Sequence, residues 1–227
     1  MGDVRKRTPS KQEVDVTSKL LWWTPVLVLA GCALPGTGTS ASDSVNPHDR
    51  YSAVALSCEY GECPNGVVKP RGAIGIDIKT ATTSDQSEAI AHTIEQWNDA
   101  CPEHPLSLGP SDATMEFYFV DEDDMAAVLP IYVEGNVGLF TYDWDAQNII
   151  TGSVVAIANE LTGRELTHFV LEETTQAMGL INDIGDSSSI FDGGSGRVTE
   201  YSEIDIATIA IHCDPQTLPG MTAEEIP

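Results

Sequence analysis

The residues best able to do chemistry lie in one stretch, Glu172-Glu173-Thr174-Thr175-Gln176-Ala177-Met178-Gly179-Leu180-Ile181-Asn182-Asp183. Leu166, Val170, Glu173, Ala177 and Leu180 recur at spacings of four, three, four and three, the period of one helix face. Glu173 therefore falls inside an apolar stripe. A carboxylate there is desolvated, and its pKa rises unless a cation or a donor compensates. Glu172 and Gln176 lie one turn apart on the adjoining stripe, and His168 lies one turn before Glu172. Two neighbouring carboxyl groups can serve as an acid/base pair. Successive helical residues point about 100° apart, however, so Glu172 and Glu173 are awkwardly placed to share one proton. His168 by itself reads as an exposed or capping histidine rather than a ligand, although it shares a face with Glu172 and Gln176. The adjacent acids Asp121-Glu122-Asp123-Asp124 lack the spaced pattern of a calcium loop and read as a solvated turn. No Ser-His-Asp pattern has a recognisable nucleophile turn, and no glycine-rich phosphate loop follows a strand.

These side chains need a helix to hold them. Thr162-Gly163-Arg164-Glu165 has the form of a capping box, and the helix it opens should run to about Met178. Gly179 is a good left-handed cap. Ahead of it the chain predicts a strand at 73–78 and a helix from Ser84 to Cys101, with Ser84 as N-cap and Ala89, Ile90, Ile94 and Trp97 at helical spacing. Strands are expected at 114–120, 137–142 and 149–158, and a last helix from Ser202 to about His212. The expected class is α+β. The helix from Thr162 should cross beneath a small mixed sheet, with strand 149–158 edging a cleft. Asp192-Gly193-Gly194-Ser195-Gly196 reads as a flexible loop placed to border that cleft.

Composition restricts the partners. The chain has 227 residues, with 35 acidic and 11 basic side chains and a net charge of -24. Residues 1–31 carry five of the bases, so the rest is more acidic still. Such a surface excludes nucleic acid as a partner and leaves cations, basic peptides or a salty environment. No apolar run is long enough for a permanent membrane helix. The basic start, the short apolar run Leu20 to Leu29 and the ending Leu29-Ala30-Gly31-Cys32 resemble a bacterial lipoprotein signal, with Cys32 as the lipidated residue. That resemblance implies a signal peptide over 1–31, a lipidated tether over 32–50 and a domain over 51–227. It also implies export and a lipid anchor. Ala33 after the cysteine resembles the signal for the outer membrane where a cell has two, with the domain at the periplasmic face. In an exported chain Cys58, Cys63, Cys101 and Cys213 are candidates for two disulfides with three possible connectivities. Cys58 with Cys63 would leave Cys101 to tie the early helix to the C-terminal region. A zinc site on the Cys-x4-Cys pair competes poorly, because no second close pair exists.

The stretch from Glu172 resembles the active-site helix of metzincins, the matrixin branch in particular, which read His-Glu-x-x-His-x-x-Gly-x-x-His. The glutamate, the glycine and the spacing are present, while Glu172, Gln176 and Asn182 stand at the three histidine positions. Ser189-Ile190-Phe191 resembles the methionine turn beneath the metal, and Tyr201 to Ile209 the matrixin C-terminal helix. The resemblance covers about residues 150–212 well, and residues 70–150 only through element order. The chain is also similar to an uncharacterised bacterial family of exported proteins, through Glu173-Thr174-Thr175-Gln176, Gly179-Leu180, Asn182-Asp183, Ser189-Ile190-Phe191, Asp214-Pro215 and Pro219-Gly220-Met221. The zincin resemblance implies a zincin-like fold with Glu173 in the place of the general base and Glu172, Gln176 and Asn182 in the place of metal ligands. Three oxygen donors with one charge suit calcium, magnesium or manganese; zinc suits them poorly. No cofactor is demanded, and a divalent cation is the one these donors would take.

Three functions fit these residues. The preferred one is a pseudo-enzyme: a zincin-shaped cleft that binds a peptide or an envelope protein without cutting it. The alternative is a metallopeptidase-like hydrolase using an oxygen-ligand metal site or a glutamate acid/base pair. The third is purely structural, with Glu173 and Gln176 hydrogen-bonded to backbone and no ligand.

Overall fold

The computed structural model describes residues 46–57, 64–111, 113–193 and 198–227. The signal segment, Cys32, the tether up to residue 45, Cys58, Cys63 and residues 194–197 of the glycine-rich loop lie outside the described residues. The described part is a mixed α/β fold. It comprises strands β1 (Lys69–Pro70), β2 (Ile74–Ile78), β3 (Leu106–Leu108), β4 (Ala113–Val120), β5 (Gly138–Trp144) and β6 (Ile149–Ala158). Its helices are α1 (Pro47–Ala55), α2 (Ser84–Ala100), α3 (Met125–Val128), α4 (Gly163–Ala177) and α5 (Glu203–Cys213).

The sheet is mostly parallel, in the order β1-β6-β4-β2-β3, and β5 pairs with β6 as its antiparallel member. β6 is thus an interior strand, between β4 and β5. The expectation that strand 149–158 edges the cleft is corrected: β5 does. The physical cause is visible in β6, whose Val155, Ala156, Ile157 and Ala158 are all buried, as a strand covered on both faces requires. Alternation along β4 and β6 separates two cores. Phe117, Phe119, Val155 and Ile157 face α2 and α4, while Ala156 joins Met125, Leu129 and Leu139 on the other side.

The helices follow local signals with three departures. α2 starts one residue earlier than the Ser84 cap, because Thr83 accepts from the Gln86 amide and Gln86 returns the bond to Thr83, closing a capping box. The box expected at Thr162 and Glu165 does not form; Thr162 makes no side-chain cap bond, and Gly163 enters the helix with φ of +55°. α1 begins within the stretch that composition assigned to the tether, taking residues 47–50 from it. Asn46 caps it, and Arg50 is buried between Asp186 at 2.8 Å and Asp205 at 3.0 Å, so residues 46–50 belong to the domain. The first half of α1 is polar, and its apolar face, Tyr51, Val54 and Ala55, begins only after the stretch assigned to the tether. β3 and α3 are short elements that the periodicity likewise did not mark.

At the other end α4 behaves as its stripe predicts. Leu166, Val170, Glu173, Ala177 and Leu180 are all buried, and each fully buried Val or Leu contributes roughly 1.5–3 kcal/mol. Gly179 has φ of +107° and leaves no space for a Cβ against the Val68 carbonyl. α5 is capped by Ser202 in a reciprocal pair with Asp205. A disulfide joins Cys101, at the end of α2, to Cys213, at the end of α5, with Cα atoms 5.6 Å apart. The Pro219-Gly220-Met221 segment is a structural clamp. Gly220 N donates to Val67 O, and Val67 N donates to Met221 O. Lys69 is buried nearby and donates to the carbonyls of His212, Asp214 and Thr217; burial pulls its ammonium down to about 8.

Candidate functional site

A cavity of about 480 Å³ lies between α4 and β5. Glu172, Glu173 and Gln176 line it from the helix, with Phe169 one turn earlier; Phe140, Tyr142 and Trp144 line it from the strand. The helix face was legible from spacing, and the structure brings these three polar residues to one place. The aromatic row is legible only in retrospect, in the two-residue alternation Phe140, Tyr142, Trp144. Phe140 and Tyr142 stack with ring centroids 6.1 Å apart, and Tyr142 meets Trp144 at a tilt of 44° with centroids 5.3 Å apart. Desolvation pushes the Tyr142 phenol up to about 12, so it stays neutral.

Glu173 reaches under the edge strand. The site works sterically because residue 138 is glycine: a Cβ there would stand 2.6 Å from Glu173 Oε1. Beside it, His168 is fully buried, which corrects the expectation of an exposed or capping histidine. Its Nδ1 lies 2.6 Å from Val198 O. A carbonyl only accepts, so Nδ1 carries the proton. Nε2 stands 3.0 Å from Glu172 Oε2, at ion-pair distance but without the alignment of a hydrogen bond. Burial pushes the His168 imidazole below its usual pKa. With its proton on Nδ1, the ring turns the bare Nε2 toward Glu172 and packs beside that carboxylate without donating to it.

The ligand set implied by the zincin resemblance does not assemble. Asn182 does not line the cavity. Its backbone N and its side-chain Nδ2 both donate to Val54 O at 3.0 Å. Val54 is in the last turn of α1, where carbonyls lack helical partners, and Asn182 satisfies one of them. Asp183, the next residue, takes the position in the cavity instead. Gln176 Nε2 donates to Asp183 Oδ1 at 2.6 Å, so the amide is engaged as a donor rather than presenting only an oxygen. Among the described residues, no three His, Cys, Asp or Glu side chains group closely enough to hold a metal ion. The donors present do not fit a divalent cation in the arrangement Glu172, Gln176, Asn182.

The turn Ser189-Ile190-Phe191 is fully buried. Asp205 Oδ1 accepts from Ser189 Oγ at 2.7 Å, and Asp205 Oδ2 accepts from Ile190 N at 3.1 Å. The same carboxylate receives Arg50 and Ser202, so one buried acid ties the turn to α1 and α5. Ile184 N donates to Phe191 O, which carries that order to the neighbour of Asp183. Gly193 lines the cavity and lies so close to the Asp183 carboxylate that no Cβ would fit. Of the described residues of that loop, Gly193 borders the cleft. The acids at 121–124 form a short 3-10 turn, in which Glu122 accepts from Tyr132 OH and Gly135 N and braces the loop before β5.

No curated protein matches the chain. A family model described as a protein of unknown function, DUF2927, matches residues 46–227, the span that begins at the cap of α1 and ends at the last residue. The chain belongs to the DUF2927 family.

Proposed function

We propose that the domain is a non-catalytic binding module whose cleft between α4 and β5 takes an extended peptide or an extended segment of an envelope protein. The observation that carries this is the cavity of about 480 Å³ against a strand whose only sheet partner among the described residues is β6. Such an edge offers main-chain donors and acceptors to an added strand, and the rings behind it offer pockets for alternate side chains. The order of strands, the helix α4, the turn at 189–191 and the helix α5 support a zincin-like outline. The turned-away Asn182 and the Gln176–Asp183 bond support a cleft that binds without a zincin's metal chemistry. We further propose that the chain is exported and held at a bacterial membrane by lipid on Cys32.

The test is selection of random 12-residue peptides on the purified protein, followed by affinity measurement and mass spectrometry of each recovered peptide. Recovered peptides should stay intact, bind equally with or without chelator, and lose at least about tenfold affinity to Tyr142→Ala, the order of one aromatic contact. Cleavage that disappears in Glu173→Gln would replace this function with the hydrolase. Enrichment of no peptide, or indifference to Tyr142→Ala, would remove the cleft as a peptide site.

A further inference from the structure

We infer that this cleft selects a basic side chain, a lysine or arginine of the bound peptide, seated between the β5 rings and the carboxylates of α4. The inference rests on the peptide-binding function proposed above and names its ligand class.

Charge is the first ground. Residues 46–227 contain 31 acids and six bases. Three of the six are committed elsewhere: Arg50 to Asp186 and Asp205, Lys69 to three carbonyls, and Lys79 to Asp77 and Glu116. An excess of this size produces a negative potential over the whole domain. Low-dielectric walls focus such a potential into a concavity.

The lining of the cavity is the second ground. Glu172, Glu173 and Asp183 contribute carboxylates, and among the described residues no Lys, Arg or His lines it. Each of these carboxylates has intramolecular contacts of its own. The preference for a cation therefore comes from the domain-wide excess focused at this point, with the three acids setting where the charge ends up.

The wall is the third and is independent of charge. A neutral Tyr142 flanked by Phe140 and Trp144 presents aromatic surface to whatever enters. Lysine and arginine are the side chains that match both features. Their apolar stems pack on rings and on the exposed lip residue Ile131, and their heads gain from cation–π contact before reaching a carboxylate. A neutral apolar side chain would leave the acids dehydrated for no return, and an acidic one would be repelled.

The experiment uses the whole protein and three labelled peptides, acetyl-Ala-Thr-Val-X-Val-Thr-Ala-amide with X as lysine, norleucine or glutamate, read by fluorescence anisotropy at low and high salt. The lysine peptide should bind at least about tenfold tighter than the norleucine peptide, and the glutamate peptide weakest. The gap should narrow at high salt, and both Tyr142→Ala and Glu173→Gln should narrow it further, with thermal melts confirming that each variant is folded. Equal binding of lysine and norleucine peptides overturns the basic selectivity and leaves the peptide cleft standing. A lysine preference untouched by Tyr142→Ala assigns the charge effect to the general surface and also overturns it. Failure of all three peptides to bind overturns both the selectivity and the peptide cleft.

Discussion

Replacing Gly138 by alanine probes whether Glu173 lies beneath the edge strand. A Cβ at residue 138 would stand 2.6 Å from Glu173 Oε1, 3.0 Å from its Cγ and 3.1 Å from its Cδ. Gly138 does not have positive φ, so alanine is conformationally acceptable there. In open space the exchange would stabilise by about 0.4–1 kcal/mol, because alanine restricts the unfolded chain more than glycine does. The contact opposes this. Glu173 is only 7% exposed, and to make room its carboxylate and Cγ must both swing away from β5 toward the cavity that it lines. Overpacking of this kind costs about 1–3 kcal/mol, so the net expectation is a loss of roughly 0.5–2 kcal/mol. Glu173→Ala removes all three clashing atoms. In that background Gly138→Ala should change sign and stabilise by about 0.4–1 kcal/mol, a coupling of roughly 1–3 kcal/mol across the cycle. The assay is urea unfolding of the four proteins, compared at constant m-value. The same sign in both backgrounds would refute the placement of Glu173 under β5, and with it the shape of the cleft.

Gly179→Ala should lower stability by about 2–4 kcal/mol, because φ of +107° is strained for alanine and the new Cβ meets the Val68 carbonyl; an unchanged urea midpoint would disprove the close approach. His212 is buried, donating from Nε2 to Met178 O while Nδ1 faces Tyr51 OH, and burial pushes it down to about 3. Its folded pKa lies below the unfolded one, so the unfolded state takes up the proton first and stability falls as pH drops through the window from 6.5 toward 3. Between pH 7 and 5 this group alone should remove about 2 kcal/mol, and the slope should be shallower in His212→Gln. Breaking the disulfide with Cys101→Ser and Cys213→Ser should cost up to about 5 kcal/mol on the chain-entropy account, given a separation of 112 residues, and a reductant should give the native protein the same shifted midpoint.

What could be read along the chain was whatever short-range repetition encodes. The stripe through Leu166, Val170, Glu173, Ala177 and Leu180 placed a carboxylate in a buried face, and helical geometry alone put Glu172 and Gln176 beside it. Ile149 to Ala158 stood out as a strand, and Gly179 as the end of α4, because a left-handed cap has few other occupants. The pairing of Cys101 with Cys213, one of the connectivities open to the cysteines, is present. Where the reading failed, a partner distant in sequence made the decision. Asn182 and Asp183 are adjacent amide and acid, and nothing local says which enters the cleft. The unsatisfied carbonyl of Val54, 128 residues away, captures Asn182 and leaves Asp183 to the cavity. The start of α1, residues 47–50, looks like tether until Asp186 and Asp205 arrive to pair with Arg50. β5 becomes the rim because it pairs along the edge of β6 opposite β4, and that pairing joins segments that meet only in the folded sheet. Periodicity reports which face of an element is buried; which element covers it depends on contacts that form only when the chain closes on itself, and those contacts chose the residues that line the cleft.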